Sequence, residues 1–140
     1  MIVLDTNVLS ETLRPQPDAR VLQWLAAQPA AALFTTAITR GELLYGVGLL
    51  AESRRKSSLL AAVRAILDQD LAGRVLSFDP DAADAYAGIA SSRRTAGIPI
   101  SQFDAMIAAI ARSRGASVAT RNAKDFAQCG VDVIDPWQRA

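Results

Sequence analysis

Three carboxylates occupy positions where predicted strands end and helices begin. Asp5 follows a short apolar run, Glu42 comes early in the helix after the second predicted strand, and Asp104 lies in the first turn of a later helix. A carboxylate buried beside such apolar segments is costly unless it is paired, hydrogen-bonded or metal-bound. Converging carboxylates also repel one another, which raises some of their pKa values unless a cation compensates. A hard divalent ion such as Mg²⁺, which binds oxygen ligands and keeps several waters, suits this set.

A purely structural interpretation competes with the metal site. Thr39-Arg40-Gly41-Glu42 and Ser101-Gln102-Phe103-Asp104 both match the capping-box pattern, so either acid alone could cap its helix and favour the positive end of the dipole. Asp5 directly follows an apolar strand, and no cap explains it. The two roles are compatible, because a metal-binding acid can sit in the first turn of a helix. Three acids on one edge of a sheet favour the metal site.

Composition excludes much of the remaining chemistry. The 140 residues include no His and a single Cys, Cys129. Ser-His-Asp or Cys-His catalysis, a His-based zinc site and a disulfide framework are therefore excluded within this sequence. The net charge is only +1, which does not steer the whole molecule towards nucleic acid, although a local basic groove is compatible with it.

Alternating strands and helices must position these residues. Apolar runs predict five strands, at residues 2–4, 33–36, 75–78, 117–120 and 131–134. Helices are predicted from about Asn7, over 19–28, from Thr39 to Leu50, over 54–69, over 80–95 and from Ser101 to Arg114, with Asp18, Asp79 and Ser101 as N-caps and Gly115 after the last helix. The alternation predicts the α/β class, with a parallel sheet covered on both faces, in one domain over residues 1–140.

Such sheets bind ligands at the carboxyl ends of their strands, where the strand order reverses. The three acids lie at that edge in the predicted fold. Arg121, Asn122 and Asp125 follow the fourth predicted strand and belong to the same edge. The sequence therefore predicts one polar site built from segments that are far apart along the chain.

Four sequence blocks, in order, resemble the PIN domain family. They are Val3-Leu4-Asp5-Thr6-Asn7-Val8-Leu9-Ser10, the segment 38–43 around Glu42, the segment 103–109 around Asp104, and Val118-Ala119-Thr120-Arg121-Asn122. The resemblance spans the chain, and Arg14-Pro15-Gln16-Pro17 resembles the FitB branch of VapC-type toxins. It implies a Rossmann-like sheet of five parallel strands flanked by helices, with a Mg²⁺- or Mn²⁺-dependent ribonuclease site at its carboxyl edge.

Carried over position by position, the resemblance implies that Asp5, Glu42 and Asp104 are the catalytic, metal-binding acids. Asp5 and Asp104 hold the principal ion, while Glu42 orients a water or assists a second ion. The family's fourth acidic position falls on Asn122, which supplies an oxygen ligand but no negative charge. Asp125 either substitutes for it, if the turn brings its side chain inward, or is a solvated loop acid.

Supporting residues follow from the same resemblance. Thr6 and Thr120 either donate hydrogen bonds to the acids or to a scissile phosphate, or are satisfied turn hydroxyls. Arg121 lies beside the expected site and is the best single candidate for contact with RNA. Arg54-Arg55-Lys56 and Arg93-Arg94 could also supply basic residues for RNA, although the expectation for both runs is a solvated helix face.

The resemblance also implies partners. A VapC-type toxin pairs with a small DNA-binding antitoxin, whose tail occupies and inhibits the site, and toxin homodimers are usual. The first five residues do not read as a signal peptide and no apolar run reaches membrane-spanning length, so we expect a cytoplasmic protein with no membrane partner.

Two other functions stay open at this point. Because Asn122 lacks a charge, a weakened site could leave a non-catalytic interaction module. A metal-dependent phosphatase resembling the haloacid dehalogenase superfamily would also place an Asp after its first strand. That superfamily has a second Asp two residues later, where this chain has Asn7, and the chain is short for it.

Overall fold

A parallel sheet of five strands forms the centre of the fold. The structure is a computed structural model that describes residues 1–138, so residues 139 and 140 of the predicted domain lie outside it. The strands are β1 (Ile2–Leu4), β2 (Leu33–Thr36), β3 (Val75–Leu76), β4 (Ser117–Ala119) and β5 (Val133–Ile134). Their spatial order is β3-β2-β1-β4-β5, and every pairing is parallel. The predicted α/β fold with a five-stranded parallel sheet is confirmed.

Helices cover both faces of this sheet. They are α1 (Thr6–Thr12), α2 (Ala19–Ala27), α3 (Ala37–Gly48), α4 (Arg54–Ala65), α5 (Pro80–Thr95) and α6 (Gln102–Ser113). A π-helical turn over Ile66–Asp70 continues α4, and 3-10 turns occupy Ala30–Ala32 and Ala123–Phe126. The predicted N-caps Asp18, Asp79 and Ser101 each accept a hydrogen bond from the first turn of their helix.

Two apolar cores lie on opposite sides of the sheet. Val3 of β1 packs with α5 and α6, whereas its neighbour Leu4 packs with α1, α2, α3 and α4. Successive side chains of a strand point to opposite faces, so each strand contributes to both cores. As expected from its apolar sequence, α6 is buried along most of its length.

The edge strands are shorter than predicted. β3 ends at Leu76 rather than at residue 78, and β5 begins at Val133 rather than at residue 131. Each edge strand has a neighbour on one side only, and the pairing with that neighbour covers just two residues. Pairing, rather than the length of the apolar run, sets the extent of these strands.

Two predictions about helix starts are wrong. The helix expected from Thr39 begins at Ala37, because Thr36 at the end of β2 is already extended and its side chain accepts from the Thr39 N–H at 3.1 Å. Glu42 therefore lies in the second turn of α3 and is not part of a capping box. Asp5, which the sequence left without a capping role, is the N-cap of α1 and accepts from the Thr6 N–H at 2.8 Å.

Only one residue of the run Arg93-Arg94 lies on the solvated surface of α5. Arg94 is exposed as predicted, but Arg93 is buried, with 6% of its surface exposed. Its guanidinium turns inward at the end of α5 and bonds to backbone carbonyls of two loops. Among residues 1–138, no helix is long and apolar enough to cross a membrane.

Candidate active site

The strand order reverses beside β1, and the residues that follow β1 and β4 meet there. The chain leaves β1 for β2 on one side and returns as β4 on the other. The Asp5 N–H donates to the Ala119 carbonyl at 2.9 Å, and the Thr120 Oγ1 hydroxyl donates to Asp5 Oδ2 at 2.7 Å. Asp5 is only 5% exposed. The first predicted acid therefore sits at the switch point where parallel sheets bind ligands.

Thr120 joins three segments beneath the site. Besides donating to Asp5, its Oγ1 accepts from Asn7 Nδ2 at 3.2 Å and from the Asn122 N–H at 3.1 Å. Asn7 Oδ1 in turn accepts from the Arg121 N–H at 3.3 Å. Asn7 was not predicted as a site residue, although its place in Asp5-Thr6-Asn7, at the start of α1, was a signal for it.

Glu42 is held by a second hydrogen-bonded group. Thr6 Oγ1 donates to Glu42 Oε1 at 2.8 Å and lies 3.0 Å from the buried Thr39 Oγ1. These contacts tie the beginning of α1 to the second turn of α3. The orientation of the Glu42 carboxylate is therefore fixed by threonine hydroxyls rather than by a helix cap.

Asp104 reaches the site from the first turn of α6. Its N–H donates to the Ser101 cap at 3.2 Å, and its side chain is half-buried. Burial raises the pKa of this carboxyl above its usual range, and the charge of Asp125 raises it further. Hydrogen bonding to Ser101 and the positive charge of Arg93 oppose that rise.

Asp5 is the most strongly perturbed of the acids at this edge. Burial raises its pKa to about 6, and the negative charges of Asp104 and Glu42 add to the rise. The hydrogen bonds from Thr120 and from the Thr6 N–H partly offset it. Mutual repulsion of this kind means that the three acids share one electrostatic environment, in which a bound cation would relieve the cost of ionising Asp5.

An open cleft of about 420 Å³ collects most of the predicted residues. Those that line it are Asp5, Thr6, Glu42, Asp104, Arg121 and Asn122. Thr120 is fully buried beneath Asp5. Asp125 is the exception, because it is exposed on the 3-10 turn and does not line the cleft, although its charge reaches Asp104.

The cleft also contains residues that sequence reasoning missed: Asn7, Ser10, Glu11, Arg14 and Trp137. Glu11 is buried, with Oε2 accepting from the Asp18 N–H at 3.1 Å and Oε1 paired with Arg14 Nη1 at 3.4 Å. Glu11 is four residues after Asn7, so both lie on one face of α1. That spacing could have indicated that Glu11 belongs to the cleft. Glu11 anchors the loop after α1 at the rim of the cleft.

Arg121 is held at the rim by an aromatic ring. Its guanidinium carbon lies 5.3 Å from the centroid of the buried Trp137 ring. A cation held over an aromatic face is attracted by the ring quadrupole. The ring and the Asn7 contact together hold a positive charge beside the acids.

The donor set fits a hard divalent cation that keeps much of its water. Within residues 1–138, no three carboxylate, His or Cys side chains are already close enough together to hold one ion. Mg²⁺ usually takes one or two carboxylates and retains several waters, so it needs no such cage. Asp5, Asp104 and Glu42 offer only oxygen atoms, which are the ligands that Mg²⁺ and Mn²⁺ prefer.

Comparisons with known proteins agree with this architecture. The PIN domain family model matches residues 2–131. The chain is 41% identical over 140 residues to the VapC ribonuclease Y4jK of Sinorhizobium fredii, covering 100% of both chains. It is 42% identical over 137 residues to toxin FitB of Neisseria gonorrhoeae, covering 98% of this chain and 99% of that one. Among solved structures it is similar to FitAB bound to a DNA fragment, with a TM-score of 0.95 and 40% identity over 100% of this chain and 98% of the other.

Proposed function

The chain belongs to the PIN domain family, and on that premise we propose that it is an endoribonuclease that depends on a divalent metal ion, Mg²⁺ or Mn²⁺. The observation that carries the proposal is the cleft at the carboxyl edge of the sheet. Asp5, Glu42 and Asp104, which are distant in sequence, line it together. Burial and the negative charges of Asp104 and Glu42 raise the pKa of Asp5. Family membership sets aside the phosphatase alternative. We take residues 1–140 as one PIN domain.

In this proposal Asp5 and Asp104 hold the principal ion, and Glu42 orients a water or assists a second ion. The ion, when bound, lowers the pKa of its water and offsets negative charge on the phosphate. Thr120 and the Thr6 N–H fix the Asp5 carboxylate, and the Thr6 hydroxyl fixes that of Glu42. Asn122 contributes an oxygen without a charge, and the exposed Asp125 adds negative charge from outside the cleft.

RNA is proposed to enter beside Arg121. A guanidinium can donate two parallel hydrogen bonds to a phosphate, and Trp137 holds this one at the rim of the cleft. The scissile phosphate would then lie between Arg121 and an ion held by the acids, so that a cation would offset its negative charge on each side.

Cleavage of an RNA panel tests the proposed activity. Wild-type protein should cleave RNA with Mg²⁺ or Mn²⁺ and stop when EDTA is added. Asp5→Asn and Asp104→Asn should each lower the rate at least about 100-fold, because losing a ligand removes several kcal/mol of charge stabilisation. Asp84→Asn, which removes an exposed acid of α5 outside the cleft, is the matched control and should cleave normally.

Full, EDTA-resistant cleavage by either cleft variant would contradict the assignment. Absence of both metal binding and cleavage in the wild type, with every divalent ion tried, would favour a non-catalytic interaction module instead.

We further propose that the protein is the toxin of a toxin–antitoxin pair. A small DNA-binding antitoxin would be its partner, and the toxin would form a homodimer. The similarity to toxin FitB, and to FitAB bound to DNA, supports this. A groove of about 650 Å³ runs between α1, α3 and α4 and shares Thr6, Ser10, Arg14 and Glu42 with the cleft. A partner's apolar segment lying in that groove would reach the acids directly.

Co-expression tests the partner. A short DNA-binding protein encoded by the adjacent upstream reading frame should co-purify with the chain and suppress RNA cleavage. Light scattering of the isolated chain should give twice the monomer mass. Failure of the neighbouring protein to bind would contradict the pairing without touching the nuclease assignment.

A further inference from the structure

Arg93 is a buried cation that bonds to backbone carbonyls in two different loops. Its Nε donates to the Ile98 carbonyl at 2.7 Å, and its Nη1 donates to the carbonyls of Asp125 and Ala127 at 2.8 and 2.9 Å. A buried charge is costly unless it is hydrogen-bonded, and these carbonyls accept from the Nε and Nη1 donors of Arg93. The side chain is therefore an internal connection, not part of the solvated surface of α5.

The first of the two loops leads into α6. The Ile98 carbonyl accepts from the Arg93 side chain, and the Ile98 N–H donates to the Arg93 carbonyl at 3.0 Å. Ile98 is three residues before Ser101, the N-cap of α6, and Asp104 is in the first turn of that helix. Arg93 thus restrains the backbone that delivers Asp104 to the cleft.

The second loop follows β4 and contains Asn122. The Asp125 and Ala127 carbonyls belong to the 3-10 turn and to the residue that caps it. The Asp125 N–H donates to the Asn122 carbonyl at 2.9 Å, and the Asn122 N–H donates to Thr120 Oγ1. The same Nη1 that bonds to this turn lies 3.7 Å from the buried Cys129 Sγ, so the guanidinium fills the space between the turn and α5.

We propose that Arg93 is a positioning residue for the ion site, because its guanidinium joins the backbone before α6 to the turn after β4 and so fixes Asp104 and Asn122 relative to each other. Arg93 does not line the cleft, and it acts through those two residues. The inference rests on the proposed metal-dependent function and adds a residue to it. A lysine replaces the fork only in part, since its three N–H donors all leave one nitrogen, whereas the guanidinium donates to the two loops from two different nitrogens.

Arg74 offers a matched control elsewhere in the molecule. Its Nε donates to the Leu33 carbonyl at 2.8 Å, and its Nη2 donates to the Asp70 carbonyl. Leu33 begins β2 and Asp70 ends the π-helical turn, so this second guanidinium connects these two elements at the opposite, amino edge of the sheet. Loss of Arg74 removes the same kind of contact without touching the cleft.

The test measures Mn²⁺ binding to the full-length chain by the electron paramagnetic resonance signal of free Mn²⁺, at a temperature where each variant is folded. Arg93→Met should raise the Mn²⁺ dissociation constant about 10-fold, the size usual for losing an outer support of a metal ligand. Arg93→Lys should raise it by a smaller factor. Arg74→Met should lower the thermal midpoint but leave the constant within about twofold of wild type.

Amide hydrogen exchange without metal gives an independent readout. In Arg93→Met, exchange should quicken at residues 98–104 and 122–127 and stay unchanged in β1 and α1, because only the two loops lose a restraint. Should Arg93→Met fail to fold, Arg93→Lys decides the question by the same measurements.

A folded Arg93 variant with wild-type Mn²⁺ affinity would overturn the proposal, as would an equal loss of affinity in Arg74→Met. If the wild-type chain itself binds no Mn²⁺, both the proposed metal-dependent function and the positioning role of Arg93 fail. Normal binding in both wild type and the Arg93 variants overturns the positioning role alone.

Discussion

At the scale of single residues, the Thr120 hydroxyl forms three hydrogen bonds that hold the site together. It donates to Asp5 and accepts from Asn7 Nδ2 and the Asn122 N–H. A hydroxyl has one proton to donate and two lone pairs, so all of its bonding capacity is used. Serine keeps these functions, whereas valine of nearly the same shape removes all of them.

Thr120→Val should lower the free energy of unfolding by roughly 2–3 kcal/mol, because it leaves buried polar groups without partners. RNA cleavage should fall at least about 10-fold, since Asp5 loses its main hydrogen-bond donor. Chemical denaturation and initial cleavage rates measure the two effects.

Two other threonine variants serve as controls for this prediction. Thr120→Ser should stay near wild type in both measurements. Thr35→Val, which removes a buried hydroxyl that donates to the Leu4 carbonyl at 2.8 Å, should cost about 1 kcal/mol yet cleave normally. Normal cleavage by a folded Thr120→Val would contradict the role given to Thr120.

The raised pKa of Asp5 makes the stability of the metal-free protein depend on pH. The folded chain holds this proton up to a pKa of about 6, against an ordinary value of 3.8. The carboxyl's contribution to stability is therefore fully present below pH 3.8 and is lost as the pH rises through 6. With EDTA present, the unfolding free energy of Asp5→Asn minus that of wild type should grow by roughly 2–3 kcal/mol between pH 4 and 7.5.

Asp18→Asn is the control of opposite sign for the Asp5 prediction. Hydrogen bonding to the Arg20 side chain lowers the pKa of Asp18 to about 2. Wild type should therefore gain stability relative to this variant as the pH rises from about 2 to 3.8, and the difference between them should be flat between pH 4 and 7.5. A flat difference between Asp5→Asn and wild type across the range would mean that Asp5 is not buried as described.

At the scale of elements, the last turn of α6 illustrates how one glycine ends a buried helix. Gly115 has a φ of 65°, and the N–H groups of Gly115 and Ala116 donate to the Arg112 and Ala111 carbonyls. This is the Schellman arrangement, which satisfies carbonyls that the helix leaves unpaired. It also turns the chain directly into β4, the strand that leads to Thr120.

Gly115→Ala and Gly88→Ala should change stability in opposite directions. An added Cβ meets no atom within 4 Å at either position, so only the backbone differs. Gly115 needs a positive φ, and its replacement should cost about 1 kcal/mol, whereas Gly88 lies inside α5 and its replacement should gain about 0.5–1 kcal/mol. Urea denaturation measures both, and a loss at Gly88 would contradict the prediction.

The elements that could be predicted are those whose limits are set by nearby residues. Asp79 followed by Pro80, and Ser101 before an apolar helix, locate the starts of α5 and α6 because an N-cap is a local hydrogen bond. The start of α3 could not be predicted in this way, since Thr36 and Thr39 are equally good caps in sequence. Only the end of β2, set by its pairing, decides between them.

The same distinction separates the parts of the site. The meeting of Asp5, Glu42 and Asp104 could be predicted without coordinates, because Asp5 directly follows a strand and the other two acids lie near the starts of helices. Arg93 and Trp137 could not, because their partners come from loops that only the folded chain brings close. A buried arginine next to an exposed one looks like any charged pair on a helix.

At the scale of the whole molecule, a net charge of +1 gives little long-range attraction to RNA. Arg121→Gln should therefore weaken RNA binding through a local contact. In an Asp104→Asn background, Arg121→Gln should make the negative slope of log affinity against log salt less steep by roughly 0.7. That is the value for one phosphate contact on a single strand.

Arg94→Gln is the matched control for the RNA prediction, because it changes the net charge equally from an exposed position of α5 outside the cleft. Fluorescence anisotropy between 50 and 200 mM KCl distinguishes the two. Equal losses of RNA affinity in both variants would show that overall charge, not the rim of the cleft, attracts RNA.

The order of the strands has a consequence for the chain during synthesis. β1 leaves the ribosome first, yet its neighbour β4 and the Thr120 hydroxyl emerge more than a hundred residues later. Until then the Asp5 carboxylate lacks the hydrogen bond from the Thr120 hydroxyl, and Asp104 is itself synthesised only shortly before Thr120. The nascent chain therefore lacks the proposed nuclease site until β4 and Thr120 have left the ribosome.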